Sequence, residues 1–250
     1  MKLLFIPNWN GHLYLQEETD SSVNEVFSKV DFKDKELMKI VKNDITKTNE
    51  MIGSRFREVL SSETKVLSVT GDHSNSYSLM REFKKKYTGG KIVIFDAHPD
   101  VEVSSDIVSH EDYLRNLIEN KFVDAKDVYL FGLRTFSRTE FEYLEEKGIN
   151  YWTIIDILKD FESVKNILSK IDGEIYLSLD IDVLDPDDAP GTYYKEWCGL
   201  RIDELVELVK VVKEKGESLK AVDICEYYKP KDEEDITLKN VLKLINIFLN

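Results

Sequence analysis

The chain has 250 residues, 42% of them hydrophobic, and a formal net charge of −14 from 34 Lys and Arg against 48 Asp and Glu. So large an excess of acid argues against a phosphate-reading surface, so no nucleic-acid partner is expected; it suits a small cationic substrate, although a generally acidic surface is the commoner cause of such an excess. The two cysteines, Cys198 and Cys225, form no tight pair, which argues against a disulfide framework or a thiolate zinc site and for a reducing, cytoplasmic setting. No apolar stretch is long enough to span a bilayer. The short run at residues 1–6 breaks at Pro7-Asn8-Trp9-Asn10 without a cleavage pattern, so neither a membrane role nor a signal segment is expected.

In chain order, runs rich in Val, Ile, Leu and aromatics predict strands over residues 2–7, 65–71, 91–98, 127–132, 149–154, 174–182 and 219–225. Amphipathic patterns between them predict helices over 36–60, 74–87, 111–120, 138–147, 202–215 and 237–249. Strands alternating with helices imply right-handed crossovers and a mostly parallel sheet buried on both faces. With no linker, repeat or low-complexity tract, residues 1–250 are expected to form one α/β domain; the acidic stretch 231–235 reads as a solvated loop.

Ligands of open α/β sheets sit beyond the carboxyl ends of the strands. Three of the runs end in His or Asp: Gly71-Asp72-His73-Ser74, Asp96-Ala97-His98-Pro99-Asp100, and Asp180-Ile181-Asp182-Val183-Leu184-Asp185-Pro186. If these ends are extended, residues two apart face one point, which groups Asp96, His98 and Asp100, and likewise Asp180 with Asp182. With His73 the set holds two imidazoles and four carboxylates, too many for one catalytic ion but suited to two ions sharing carboxylates. An oxygen-rich mixture favours Mn2+ over Zn2+, and the clustered carboxylates would repel one another unless cations neutralise them.

At these residues the chain resembles the ureohydrolases: arginases, agmatinases and related amidinohydrolases. The resemblance is carried by Gly71–Ser74, Asp96–Asp100 and Ser178–Pro186 followed by Ala189-Pro190-Gly191-Thr192, with Gly132-Leu133-Arg134 and Asp223-Ile224-Cys225-Glu226 as further blocks in matching order. It implies a three-layer α/β/α fold of the arginase and deacetylase kind. It also implies two Mn2+ ions per subunit, one held by His73, Asp96, Asp100 and Asp180, the other by Asp96, His98, Asp180 and Asp182. By the same resemblance a water activated between the ions attacks a guanidine carbon and releases urea and an amine. Asp100 holds or relays the water's proton, His110 protonates the departing amine, and Glu226 pairs with the guanidinium. Relatives form trimers or hexamers, so a homo-oligomer is expected. His110 follows Asp100 by ten residues, a short spacing that leans towards agmatine or an N-substituted agmatine rather than arginine.

Several segments depart from the family pattern: residues 7–47, Glu111 after His110, the loop Tyr193-Tyr194-Lys195-Glu196-Trp197-Cys198, and Tyr227-Tyr228-Lys229-Pro230. An arginase or formimidoylglutamase-type hydrolase of the same fold, or a non-catalytic metal-binding homologue, therefore stand as alternatives. Asp72 and Asp185 are not expected to be ligands; Asp185-Pro186 shapes its loop, Cys225 is a small buried hydrophobe, and His12 is expected at the surface. The added aromatics, Tyr193, Tyr194, Trp197, Tyr227 and Tyr228, fit substrate contact and loop packing equally well.

Overall fold

Alternate residues of each strand turn to opposite faces, and both faces are apolar. Leu3, Phe5, Leu67, Val69, Val93, Phe95, Leu177 and Leu179 belong to one core, whereas Leu4, Ile6, Ile92, Ile94 and Tyr176 belong to a second. A sheet with two apolar faces must be covered twice, which gives three layers. The structure, a computed structural model, describes residues 1–14, 20–41, 44–62, 65–104 and 107–249.

The sheet consists of β1 (Lys2–Ile6), β2 (Lys35–Leu37), β3 (Val66–Thr70), β4 (Lys91–Phe95), β5 (Val128–Leu133), β6 (Asn150–Thr153), β7 (Ile175–Asp180) and β8 (Leu219–Cys225). These eight strands lie in the order β2-β1-β3-β8-β7-β4-β5-β6, and every pairing is parallel. Helices α1 (Asp20–Lys29), α6 (Ile154–Lys159), α7 (Phe161–Lys170), α8 (Ile202–Lys213) and α9 (Ile236–Leu249) supply the first core, with Val23, Ile157, Leu168, Leu208 and Leu244. Helices α2 (Ile45–Ser62), α3 (Asn75–Lys86), α4 (Tyr113–Glu119) and α5 (Arg138–Lys147) supply the second, with Phe56, Phe83, Leu117 and Leu144.

Chain order and strand order part company at β3, β8, β7 and β4: the chain leaves β3, crosses to β4, and later fills the gap with β7 and β8. Such a reversal opens a crevice at the carboxyl ends. Register then sets the level of each end. Phe95 pairs Leu179, Leu179 pairs Ile224, and Ile224 pairs Val69. The residues that follow, Asp96, Asp180, Cys225 and Thr70, therefore emerge side by side.

All seven expected strands form, and an eighth, β2, joins the edge across the start of the span 36–60 that the sequence pattern assigns to a helix. That helix starts only at Ile45, and residues 42–43 of the span lie outside the described residues. Lys35-Glu36-Leu37 has no apolar run; its strand comes from pairing with Leu3, Leu4 and Phe5, which periodicity does not reveal. The stretch 231–235 is solvated at Glu233–Asp235, and it is shaped by two short 3-10 turns, Lys229–Lys231 and Glu233–Asp235.

Candidate functional site

The motif strands stop earlier than expected, at Thr70, Phe95 and Asp180. Asp182 therefore lies not on extended chain but in a 3-10 turn, Ile181–Val183, whose main-chain N–H from Asp182 donates to Asp180 Oδ1 (2.8 Å). Asp100 has φ 53°, the left-handed region that Asp tolerates better than most residues. Same-side alternation is thus not what gathers the carboxylates; turns do. Arg134 locks the turn after β7 by donating to the carbonyls of Asp182 (2.5 Å), Val183 (3.2 Å) and Leu184 (3.1 Å). Gly132, two residues earlier, has φ +106°, and a Cβ there would meet Val183 Cγ2 at 2.5 Å and the Asp96 carbonyl at 3.0 Å.

Two groups able to hold a metal ion result: His73 with Asp96 and Asp100, and Asp96 with His98 and Asp182. Asp96 is common to both. Asp180 stands beside the first, its Oδ2 3.2 Å from His73 Nδ1. The structure thus brings together all six residues that the sequence singles out as ligands.

The fit of these residues to cations follows from the hydrogen bonds of His73. Its Nε2 lies 3.0 Å from Ser178 Oγ and 3.0 Å from Tyr113 OH. Ser178 spends its own proton on Asp223 Oδ1 (2.5 Å), so it accepts from His73 Nε2–H. That leaves the Nδ1 lone pair facing Asp96 Oδ2 (3.0 Å), Asp100 Oδ2 (3.0 Å) and Asp180 Oδ2 (3.2 Å). A lone pair opposed to three anionic oxygens is repulsive unless a cation sits among them, and Nδ1 and Asp96 Oδ2 have no hydrogen-bond partner. Without such an ion, only a proton on Nδ1 relieves the contact. Burial resists that charge, yet Cys225, Tyr113, Asp100 and Asp180 hold the His73 pKa well above its ordinary value. Burial, then the Asp96 charge, pushes Asp100 up to about 8. Burial, Asp182 and Asp96 likewise raise Asp180 far above the carboxylate range. For Asp182 burial is outweighed by His98, whose Nδ1 is 3.0 Å away, and its pKa is held low. A third group, His73, Asp223 and Cys225, also lies within ligand distance. Asp223 is already occupied by the hydroxyls of Ser76, Tyr176 and Ser178, so it serves to orient His73.

Above the cluster is a pocket of about 370 Å3 lined by His73, His98, Asp100, His110, Asp180, Asp182 and Glu226. Glu226 has φ 65° and accepts the His73 main-chain N–H at Oε1 (2.7 Å). Burial, then Asp180 and Asp72, raises its pKa well above normal. His110 is buried; its Nδ1 lies 3.1 Å from the Gly11 carbonyl, and its Nε2 is unpaired, 3.7 Å from Glu111 Oε1. Burial foremost lowers its pKa.

Asp72 and Asp185 bond main-chain groups of the loops around them. Asp72 accepts the N–H groups of Gly11 (3.0 Å) and Ser74 (3.0 Å). Asp185 accepts those of Asp187 (3.1 Å) and Gly199 (3.2 Å). Cys225 is buried and Cys198 exposed, both as free thiols. Of the added aromatics, Tyr193 and Tyr194 line the pocket, Tyr227 and Tyr228 are buried packing, and Trp197 is exposed. His12 is not at the surface: it is buried, its ring 4.3 Å from that of His110. Sequence reasoning also missed Tyr113. Its position just after His110 carries no signal that its hydroxyl would reach back to His73.

A parallel three-layer sheet carrying a carboxylate and imidazole cluster in its crevice defines a narrow class of α/β protein. The sequence model of the Arginase family matches residues 11–249, and the chain belongs to that family. An agmatinase of Bacillus cereus is 30% identical over 191 residues, covering 75% of this chain and 64% of that protein. An agmatinase of Bacillus subtilis is 30% identical over 203 residues, covering 80% and 68%. The chain thus matches 64% of the length of the first relative and 68% of the second. Among solved structures, a formimidoylglutamase from Bacillus subtilis superposes with TM-score 0.89 at 23% identity over 99% of this chain and 85% of that one. An arginase from Bacillus subtilis gives 0.86 at 22% over 100% and 98%. At these identities the two structures bear on the fold alone. Among the described residues no helix is long and apolar enough to cross a membrane.

Proposed function

We propose that the chain is an amidinohydrolase with two Mn2+ ions, cleaving a guanidino C–N bond to give urea and an amine, with agmatine or an N-substituted agmatine as substrate. The observation that carries this reading is that both ligand groups open on the same pocket as Glu226 and His110. When bound, the two ions supply Lewis-acid activation of water and neutralise the carboxylates. Glu226, fixed at Oε1 by His73 N–H, offers its carboxylate to the guanidinium, and the incoming cation favours its charged form. Asp100 takes up the proton of the attacking water. His110, neutral at rest because burial lowers its pKa, presents the lone pair of Nε2 to the pocket, takes up there the proton that Asp100 removed from the water, and hands it to the departing amine.

The lining supports a substrate without carboxylates. Among the described residues it contains five glutamates, Glu102, Glu111, Glu140, Glu196 and Glu226, and no Lys or Arg. Neither Glu102 nor Glu111 is paired with a Lys or Arg among the described residues. A distal ammonium would meet compensating charge there, whereas a carboxylate on the substrate would meet repulsion. Residues 105–106 of the segment between Asp100 and His110 lie outside the described residues.

The test is urea release by Mn2+-loaded protein from agmatine, arginine and guanidinobutyrate side by side, with His110→Ala as control. Urea from agmatine in large excess over the two carboxylate-bearing substrates, lost in the control, is the expected result. Urea chiefly from arginine, or formamide from a formimino substrate, would overturn the substrate reading.

A further inference from the structure

We infer that His12 is a positioning residue for His110, holding that ring so that its free nitrogen faces the pocket. The inference rests on the proposed role of His110.

His110 is fixed along one edge. Its main-chain N–H (3.2 Å) and its Nδ1 (3.1 Å) both meet the carbonyl oxygen of Gly11. A carbonyl only accepts, so Nδ1 carries the proton and Nε2 keeps a lone pair. Gly11 is itself pinned: its N–H donates to Asp72 Oδ2 (3.0 Å), and a Cβ on it would lie 2.0 Å from Ser74 Oγ. Only glycine lets the carbonyl come this close.

One hydrogen bond along an edge still lets a ring swing about the donor–acceptor axis. The second restraint has to act on the face, and His12 supplies it. The two imidazoles stack with centroids 4.3 Å apart and planes 11° off parallel. His12 is itself held: Tyr14 N–H donates to its Nδ1 (3.3 Å), and its own N–H donates to the Trp9 carbonyl (3.2 Å). Tyr193 packs edge-on at 4.4 Å and 71°. An imidazole that accepts at Nδ1 carries its proton on Nε2 and is neutral. In keeping with that, burial, then His110 and Lys231, lower the His12 pKa to about 3. The stacked partner thus adds a flat, uncharged surface and no competing charge. Neither ring's Nε2 has a hydrogen-bond partner: Glu111 is 3.7 Å from that of His110, and the Tyr194 ring, at 6.0 Å, stands farther off than His12. Aromatic faces prefer such offset parallel contact, which makes His12 a planar stop for rotation of His110.

The experiment compares His12→Ala, His12→Leu and His12→Phe with the parent, all 15N-labelled at histidine. The ring resonances of His110 are followed in metal-free protein and again after loading with a diamagnetic divalent ion. Steady-state kinetics on Mn2+-loaded protein run in parallel. In the parent, His110 is expected to show one tautomer, protonated at Nδ1. In His12→Ala and His12→Leu its signals move towards the average of both tautomers, and kcat falls about tenfold with KM within threefold. Leu fills the volume without a planar face, so it separates stacking from packing. His12→Phe keeps the face and recovers most of both readouts. Unchanged His110 signals in His12→Leu, or an equal loss of kcat in the Leu and Phe variants, would overturn the inference. Should the parent release urea from no guanidine, the proposed reaction fails, while the resonance comparison still decides whether His12 fixes the ring.

Discussion

Removing or adding the divalent ions should change the protein's stability by an amount that depends on pH. The cluster sets four aspartates and two histidines into a buried space, with His73 Nδ1 opposed to three carboxylate oxygens at 3.0, 3.0 and 3.2 Å. An ion that binds only the folded form, present at about 100 times its dissociation constant, adds about 2.7 kcal/mol. Two sites give about 5 kcal/mol. For a chain of this size about 2–4 °C accompanies each kcal/mol, so chelator-stripped protein should melt about 10–20 °C below the Mn2+-loaded form. The pH dependence has a definite sign. Burial and the Asp96 charge raise Asp100 from 3.8 to about 8 in the folded chain. Between these values the folded state holds a proton that the unfolded state has released, so metal-free protein loses stability as pH rises from about 4 to about 8. Metal must displace that proton, so affinity at this site should rise about tenfold per pH unit below 8 and level off above. Differential scanning fluorimetry of stripped protein, titrated with Mn2+ between pH 5.5 and 8.5, measures both effects. A gain under about 2 °C at saturating metal, or one that does not grow with pH, would refute the argument that cations neutralise these clustered aspartates.

Glu226→Gln keeps the shape but removes the charge that meets the guanidinium; kcat/KM is expected to fall about 100- to 1,000-fold, measured by urea release at subsaturating substrate. Tyr113→Phe removes one hydroxyl from His73 Nε2, leaving Ser178 alone to orient it. Loss of an outer partner of this kind is expected to weaken Mn2+ binding at that site about tenfold, read by calorimetric titration, with about 1 kcal/mol lost from folding. Far from the site, Asp127 takes the ammonium of Lys84 at 2.7 Å and that of Lys91 at 2.7 Å, and both Asp127 and Lys84 are buried. Asp127→Asn leaves the Lys84 charge without its partner and should cost about 3 kcal/mol in denaturant unfolding. Although burial opposes it, pairing with Lys84 and Lys91 lowers the Asp127 pKa below 3.8. The stability it contributes is therefore complete above about pH 4 and lost as pH falls further, and the Asn variant should converge with the parent in acid.

The six candidate ligand residues were legible as a group in the sequence because each sits within a few residues of a strand end, and strand ends are what apolar runs reveal. His73, Asp96, His98, Asp100, Asp180 and Asp182 occupy three short blocks, each following a run that the sheet must bury. The route by which they converge was not legible. Alternation along extended chain pairs Asp180 with Asp182, but the structure pairs them through a 3-10 turn clamped by Arg134. The end of a strand and the start of a turn look alike in composition. The strand β2 and helix α1 escaped for a different reason. Lys35–Leu37 is partly exposed, and Asp20–Lys29 opens on Asp-Ser-Ser, so neither presents a clear apolar period.

What surrounds the cluster depends on contacts that no spacing encodes. His12 and His110 are separated by 98 positions, and Tyr113 reaches back 40 positions to His73. Each contact is made by irregular chain or by the first turn of a helix, held in place by the sheet below it. Register fixes the ligand-bearing ends: Asp180 is level with Cys225, and Phe95 with Leu179. No register fixes the loops above, so their residues can vary while the ligands stay in place. This is why the departures leave the six candidate ligand residues together: Glu111, Tyr193, Tyr194 and Glu196 line the pocket, and His12 packs against His110 and Tyr193. Chemistry at the guanidine carbon should therefore follow the strand ends, and the choice among guanidines should follow the loops. Exchanging Glu111 or Tyr194 should shift preference between substrates far more than it lowers metal affinity, while exchanging Asp96 should abolish metal binding whatever the substrate.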